Sequence, residues 1–247
     1  MKIFSTSQME LQSWNTELTQ NRKLFLIRKT LEQRLNFVNT NSSNLLEEYL
    51  KTHPHYMDGQ MMLYEYSLVL KKTSPNGVSF SDLQTNTVRF LHKLLQHFKV
   101  PDTTQALELL QAKLIPVKYQ KEHIALPFST VHFNEAHGDR HLLYTNHDVQ
   151  SPCIVLVIDI KEENKPVLKR SILKMGKGMI STILDPSPST AILHLMAPYF
   201  LFDSAYPKAY ESMMRLLEKQ VHGFLCAHTS KSKPMKEFVT FMKEFLE

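Results

Sequence analysis

Cys153-Ile-Val-Leu-Val-Ile-Asp-Ile160 is the stretch whose reading decides the fold class. β-Branched residues dominate it; they are stiff at χ1 and pack well on a pleated surface, and the near-continuous apolar run suits a strand covered on both faces. Across Lys161-Glu-Glu-Asn-Lys-Pro166, Val167 to Leu173 reads as its antiparallel partner, so a central hairpin is expected over 153–173. Leu142 to Thr145 is a candidate third strand.

Working back from the hairpin, Val117, Tyr119 and Ile124 to Phe128 alternate or cluster in short pieces bounded by prolines, the grammar of strands. Before Pro116 the grammar is helical. Ser7-Gln-Met-Glu10 has the spacing of a capping box ahead of a helix over 8–20. Arg22 to Val38 sets Leu24, Ile27, Leu31, Leu35 and Val38 at three- and four-residue steps. Asn39-Thr-Asn-Ser-Ser-Asn44 then stops that helix and caps another over Leu45 to Leu50. Asp58 can cap a helix from Gly59 to Lys72 with Met62, Tyr66, Val69 and Leu70 inward. Ser74-Pro-Asn-Gly77 is a turn. Ser81 or Asp82 can cap a helix whose stripe is Leu83, Val88, Leu91, Leu94, Leu95 and Phe98, and Pro101-Asp102 starts one more. After the hairpin the chain returns to helix. Pro198 disturbs a helical pattern over Ser189 to Leu201, Lys208 to His222 is amphipathic and stopped by Gly223, and Pro234 to Leu246 closes the chain.

The fold class expected is α+β: a helical bundle over residues 1–115, followed by a smaller domain over 116–247 with a short, mostly antiparallel sheet and C-terminal helices. With 43% apolar residues the chain has ample material for a core. Only six glycines stand against twelve prolines, which disfavours Gly-rich phosphate loops. The formal net charge of +5 is mild for 247 residues and falls short of the basic field of a nucleic-acid protein. Cys153 and Cys226 allow at most one bridge, a usage that fits a reducing compartment. No apolar run is long enough to span a bilayer, so a soluble, cytoplasmic protein is expected.

The densest chemistry lies in Asn134-Glu-Ala-His-Gly-Asp-Arg-His141. In an extended segment Glu135, His137, Asp139 and His141 share one face, because a strand repeats every two residues. His137, Asp139 and His141 are then a candidate divalent-metal set, since imidazoles and carboxylates are the ligands such ions take. Gly138 and Asp139 are also turn formers, which makes a polar His-rich loop the competing reading. No other cofactor is implied.

His137-Gly-Asp-Arg-His141 resembles the catalytic loop of aminoglycoside and choline phosphotransferases, His-Gly-Asp-x-His-x-x-Asn. That resemblance implies that Asp139 orients an acceptor hydroxyl and that Asp159 holds magnesium. The position of the asparagine is occupied here by Tyr144, and residues 1–115 offer no Gly-rich strand turn to grip ATP. Gln220-Val-His-Gly-Phe-Leu-Cys226 is similar to the nucleophile segment of the ubiquitin-like-protease type of cysteine peptidases. The base histidine and orienting acid of that family have no counterparts on the hairpin strands, and a buried structural thiol is the simpler reading. Lys169, Arg170, Lys174 and Lys177 read as a basic hairpin edge, which discourages sheet pairing and offers a weak contact for an acidic ligand or membrane surface. With each enzyme pattern incomplete, the function expected is an intracellular interaction or regulatory protein whose helical half docks a protein partner. The alternative is a metal-dependent hydrolase or phosphoryl-transfer enzyme centred on His137, Asp139 and His141.

Overall fold

Caps and apolar periods place most of the helices. The computed structural model describes residues 18–40, 50, 53–74, 77–116, 119, 126–132, 151–160, 166–175, 180–183, 187–223, 241, 243 and 245. Helix α1 (Gln20–Thr40) buries Leu26, Ile27, Thr30, Leu31 and Arg34 along one side. A 3-10 turn (Pro54–Met57) leads to Asp58, whose Oδ1 accepts from the amides of Gln60 at 3.0 Å and Met61 at 3.3 Å. It thereby caps α2 (Gly59–Thr73), in which Met62, Tyr66, Val69 and Leu70 point inward as their spacing demands.

The start of α3 (Phe80–Phe98) corrects the sequence reading. Its cap is Ser79, not Ser81 or Asp82: the Ser79 hydroxyl accepts from the Asp82 amide while the Asp82 carboxylate accepts from the Ser79 amide. Asp82 is therefore the third residue of a reciprocal capping box. Val88, expected in the stripe, is 45% exposed, because Leu83, Thr87, Phe90, Leu91 and Leu94 already complete the buried face. Asp102 caps α4 (Thr103–Leu114) as expected, its Oδ1 accepting from the Gln105 amide at 2.9 Å.

Among the described residues four strands form one sheet in the order β1-β2-β3-β4, with β1 Phe128–His132, β2 Cys153–Ile160, β3 Pro166–Lys174 and β4 Ile180–Ile183. The β2/β3 hairpin pairs antiparallel, β3/β4 likewise, and β1 runs parallel to β2. The fold is α+β, with helices before and after a small mixed sheet. In the hairpin Val157 faces Arg170 and Ile158 faces Leu168, which leaves Lys169 as the extra residue of a bulge. Both faces of β2 are covered, as its composition requires. Ile154 and Leu156 join Phe128 and Leu173 in the main core, whereas Val155 and Val157 cluster with Ile172 and Val131 on the opposite side.

Helix α5 (Pro188–Leu201) continues through Pro198 even though proline there removes a backbone donor. Burial is the reason it persists: every residue from Ala191 to Tyr199 is buried. The Tyr199 hydroxyl donates to the Pro152 carbonyl at 3.1 Å and lies 3.1 Å from the Tyr210 hydroxyl, tying α5 to the start of β2. Helix α6 (Glu211–His222) ends at Gly223, whose φ of 79° is the left-handed conformation that favours glycine.

The C-terminal helices pack back on the N-terminal ones. Helix α5 lies on α2 and α3, and α6 lies on α3. Phe241 and Phe245 stack beside His97 and Phe98. One apolar cluster thus holds Leu70, Phe90 and Leu107 together with Ile154, Leu193 and Met214, on both sides of residue 115. Among the described residues no helix is long and apolar enough to cross a membrane.

Candidate functional site

His137, Asp139 and His141, with Glu135, lie outside the described residues, as do Leu142 to Thr145, Lys177 and Cys226. Strands β1 and β2, which precede and follow the histidine stretch in the sequence, pair in parallel. Among the described residues no group of His, Cys, Asp and Glu has the arrangement of a metal site. Asp159 stands at the end of β2, its carboxylate 4.0 Å from the Lys169 ammonium.

The basic hairpin edge expected at Lys169, Arg170, Lys174 and Lys177 is found in part. Strand β3 is flanked by β2 throughout and by β4 over Ser171–Lys174, so among the described residues its first half, with Lys169 and Arg170, keeps one open side. Lys174 is buried, and Lys169 occupies the bulge. Neighbouring Lys174, Cys153 is a free, buried thiol that burial pushes up to about 11 in spite of that lysine. A thiol so raised is neutral at physiological pH and is not an activated nucleophile.

Two buried polar clusters escaped the sequence reading. In the first, Arg34 of α1 grips Glu65 of α2 with two nitrogens, Nε to Oε1 at 3.0 Å and Nη2 to Oε2 at 2.9 Å. The Tyr56 hydroxyl donates to Oε1 at 2.8 Å, and His55 Nε2 lies 3.2 Å from Oε2. Arg34 also donates to the Ile27 carbonyl at 2.8 Å and to Thr30. Burial alone would push the Glu65 carboxyl up, but the Arg34 guanidinium and the His55 hydrogen bond outweigh it and hold it at about 2. Burial lowers His55 below its ordinary value against the opposing pull of Glu65, so the imidazole is neutral and donates from Nε2. The ion pair is Arg34 with Glu65; His55 and Tyr56 complete it as hydrogen-bond donors.

In the second cluster the Tyr66 hydroxyl bonds His222 Nε2, with the Phe200 ring against both, and the Asn86 amide holds the Val221 carbonyl at 3.1 Å. Burial depresses His222 to about 3, so the imidazole is neutral where it meets the Tyr66 hydroxyl. Both clusters join helices to one another inside the core.

What faces solvent on α1 is different in kind. Phe25, outside the Leu24, Ile27, Leu31 stripe, is 49% exposed. The Arg22 guanidinium sits 5.2 Å and the Lys29 ammonium 5.6 Å from its ring centroid, one turn to either side. An aromatic that falls off an otherwise regular apolar stripe, with cations three before and four after, was the sequence signal for this feature.

The chain matches no family model, no curated protein and no solved structure. The functional reading therefore rests on these residues themselves.

Proposed function

We propose that this chain is a cytoplasmic interaction protein whose helical part docks a protein partner through the outer face of α1. The observation that carries the reading is Phe25: a half-exposed aromatic bracketed by two cations, on a helix fixed from behind by a buried, bidentate ion pair. Aromatic and arginine side chains on a rigid support are the residues that dominate binding energy at protein interfaces. Arg34 and Glu65 supply the rigidity, because a buried pair with its lone pairs satisfied tolerates little displacement of α1 relative to α2. The buried free thiol of Cys153 agrees with a reducing compartment. The alternative, a metal-dependent hydrolase or phosphoryl-transfer enzyme on His137, Asp139 and His141, rests on the sequence pattern alone.

Site-directed photocrosslinking tests the docking reading. Full-length protein carrying a photoreactive aromatic at position 25 should yield discrete adducts in cell extract, and the same probe at the exposed Thr85 of α3 should not. Equal, diffuse labelling from both positions removes α1 as the docking face.

A further inference from the structure

The charge around Phe25 is one-sided. Of the charged side chains on α1, Arg22, Lys23, Arg28, Lys29 and Arg34 are basic and only Glu32 is acidic. Arg34 is turned inward onto Glu65, and Glu32 is engaged by Lys72 of α2, so the acid on the outer face is already matched. Arg28 and Lys29 are exposed beside Phe25. The first turn holds no acid, although an acid there would be stabilising by roughly 0.3–1 kcal/mol against the helix dipole. A helix that forgoes this local gain keeps an outer face that is positive apart from the Lys72-paired Glu32, the kind of departure that marks a functional surface.

We propose that this face binds an acidic segment of a partner protein, with an aliphatic or aromatic side chain on the Phe25 ring and carboxylates on Arg28 and Lys29. The inference rests on the docking reading above and adds the chemistry of the partner. Charge complementarity selects the carboxylates, and the exposed ring selects a segment that also carries an apolar residue. A membrane surface fits less well: Leu26, Ile27 and Leu31 are turned into the core, which leaves α1 without the broad apolar face that interfacial helices insert. A nucleic acid fits less well because the cations flank a single aromatic and do not track along a backbone.

Fluorescence anisotropy with full-length protein and a labelled peptide of alternating Glu and Leu tests it, beside the Gln-Leu peptide, phosphatidylserine/phosphatidylcholine vesicles and a single-stranded oligonucleotide. The Glu-Leu peptide should bind, and should bind several-fold more weakly at about 0.3 M than at about 0.05 M salt, where screening is weaker. Arg28→Glu combined with Lys29→Glu, and separately Phe25→Ala, should each weaken binding about tenfold, roughly 1.4 kcal/mol, with the unfolding midpoint little changed. Failure of the peptide to bind, equal binding of the Gln-Leu peptide, indifference to the charge reversal, or tighter binding to the vesicles or oligonucleotide overturns the proposal. If position-25 adducts form in extract but survive the charge reversal, the acidic partner is excluded and the docking face stands. Loss of discrete adducts at position 25 removes both.

Discussion

The side-chain amide of Gln111 occupies both backbone groups of Phe128: its Nε2 donates to the Phe128 carbonyl and its Oε1 accepts from the Phe128 amide, each at 2.9 Å. Strand β1 is at the end of the sheet order, and an open edge is a template for pairing with another chain. Gln111, buried on α4, takes the place of a neighbouring strand's peptide at that position. Gln111→Leu keeps the bulk and orphans two buried backbone groups, so a loss of about 2 kcal/mol or more is expected in urea unfolding. A loss below about 0.5 kcal/mol, the range of an ordinary surface change, would show that the edge is satisfied in some other way.

The Arg34–Glu65 pair makes a sharper prediction because its two halves do not contribute independently. Either Arg34→Met or Glu65→Leu alone leaves a buried charge unmatched and should cost about 3–5 kcal/mol. The double substitution removes both charges and should recover most of that loss, although Tyr56 and His55 then lose their acceptor. A double-mutant cycle in denaturant reads the coupling, and simple additivity of the two losses would mean that the pair is not the brace on α1.

The sequence reading succeeded where the determining signal was local. Asp58 and Asp102 cap the helices that follow them, Gly223 stops α6, and the apolar run at Cys153 is a strand covered on both sides. It failed where the determinant was a distant partner. Nothing local marks Arg34 as buried; its partner in the core is Glu65, 31 residues away. Val88 fits an apolar stripe, and only the packing of Leu83, Thr87 and Phe90 shows that the stripe is complete without it. Strand β3 reads as an edge until β4 pairs with its second half. The candidate metal set His137, Asp139 and His141 lies outside the described residues, and Phe25 has meaning only once the rest of α1 is buried.

The docking and metal readings differ in what the purified protein should contain. On the docking reading no tightly held metal depends on His137, and elemental analysis of the full-length chain should give well under one equivalent of any divalent transition metal. His137→Ala should leave that result unchanged. Stoichiometric zinc or manganese in the native protein that disappears in His137→Ala would place the metal-dependent enzyme reading first, since one of three protein ligands would then have been removed.

Acid should weaken the fold in two stages, with the sign fixed by groups whose folded pKa values are depressed. His222 is held near 3 from an ordinary value of 6.5, so an unfolded chain binds this proton below about pH 6.5 while the folded chain does not. Its contribution is complete above pH 6.5 and is lost as pH falls toward 3, at a slope of up to about 1.4 kcal/mol per pH unit. His55, lowered by burial, acts in the same direction. Glu65, held at about 2 from 4.5, adds its own loss only below about pH 4.5, so the acid limb steepens there. Urea midpoints measured from about pH 8 to about pH 4 give the slope of stability against pH. In His222→Gln the slope between pH 6.5 and 4.5 should flatten by close to one proton, whatever the variant's absolute stability. An unchanged slope would mean that His222 titrates alike in the folded and unfolded chains, and that burial does not keep it neutral.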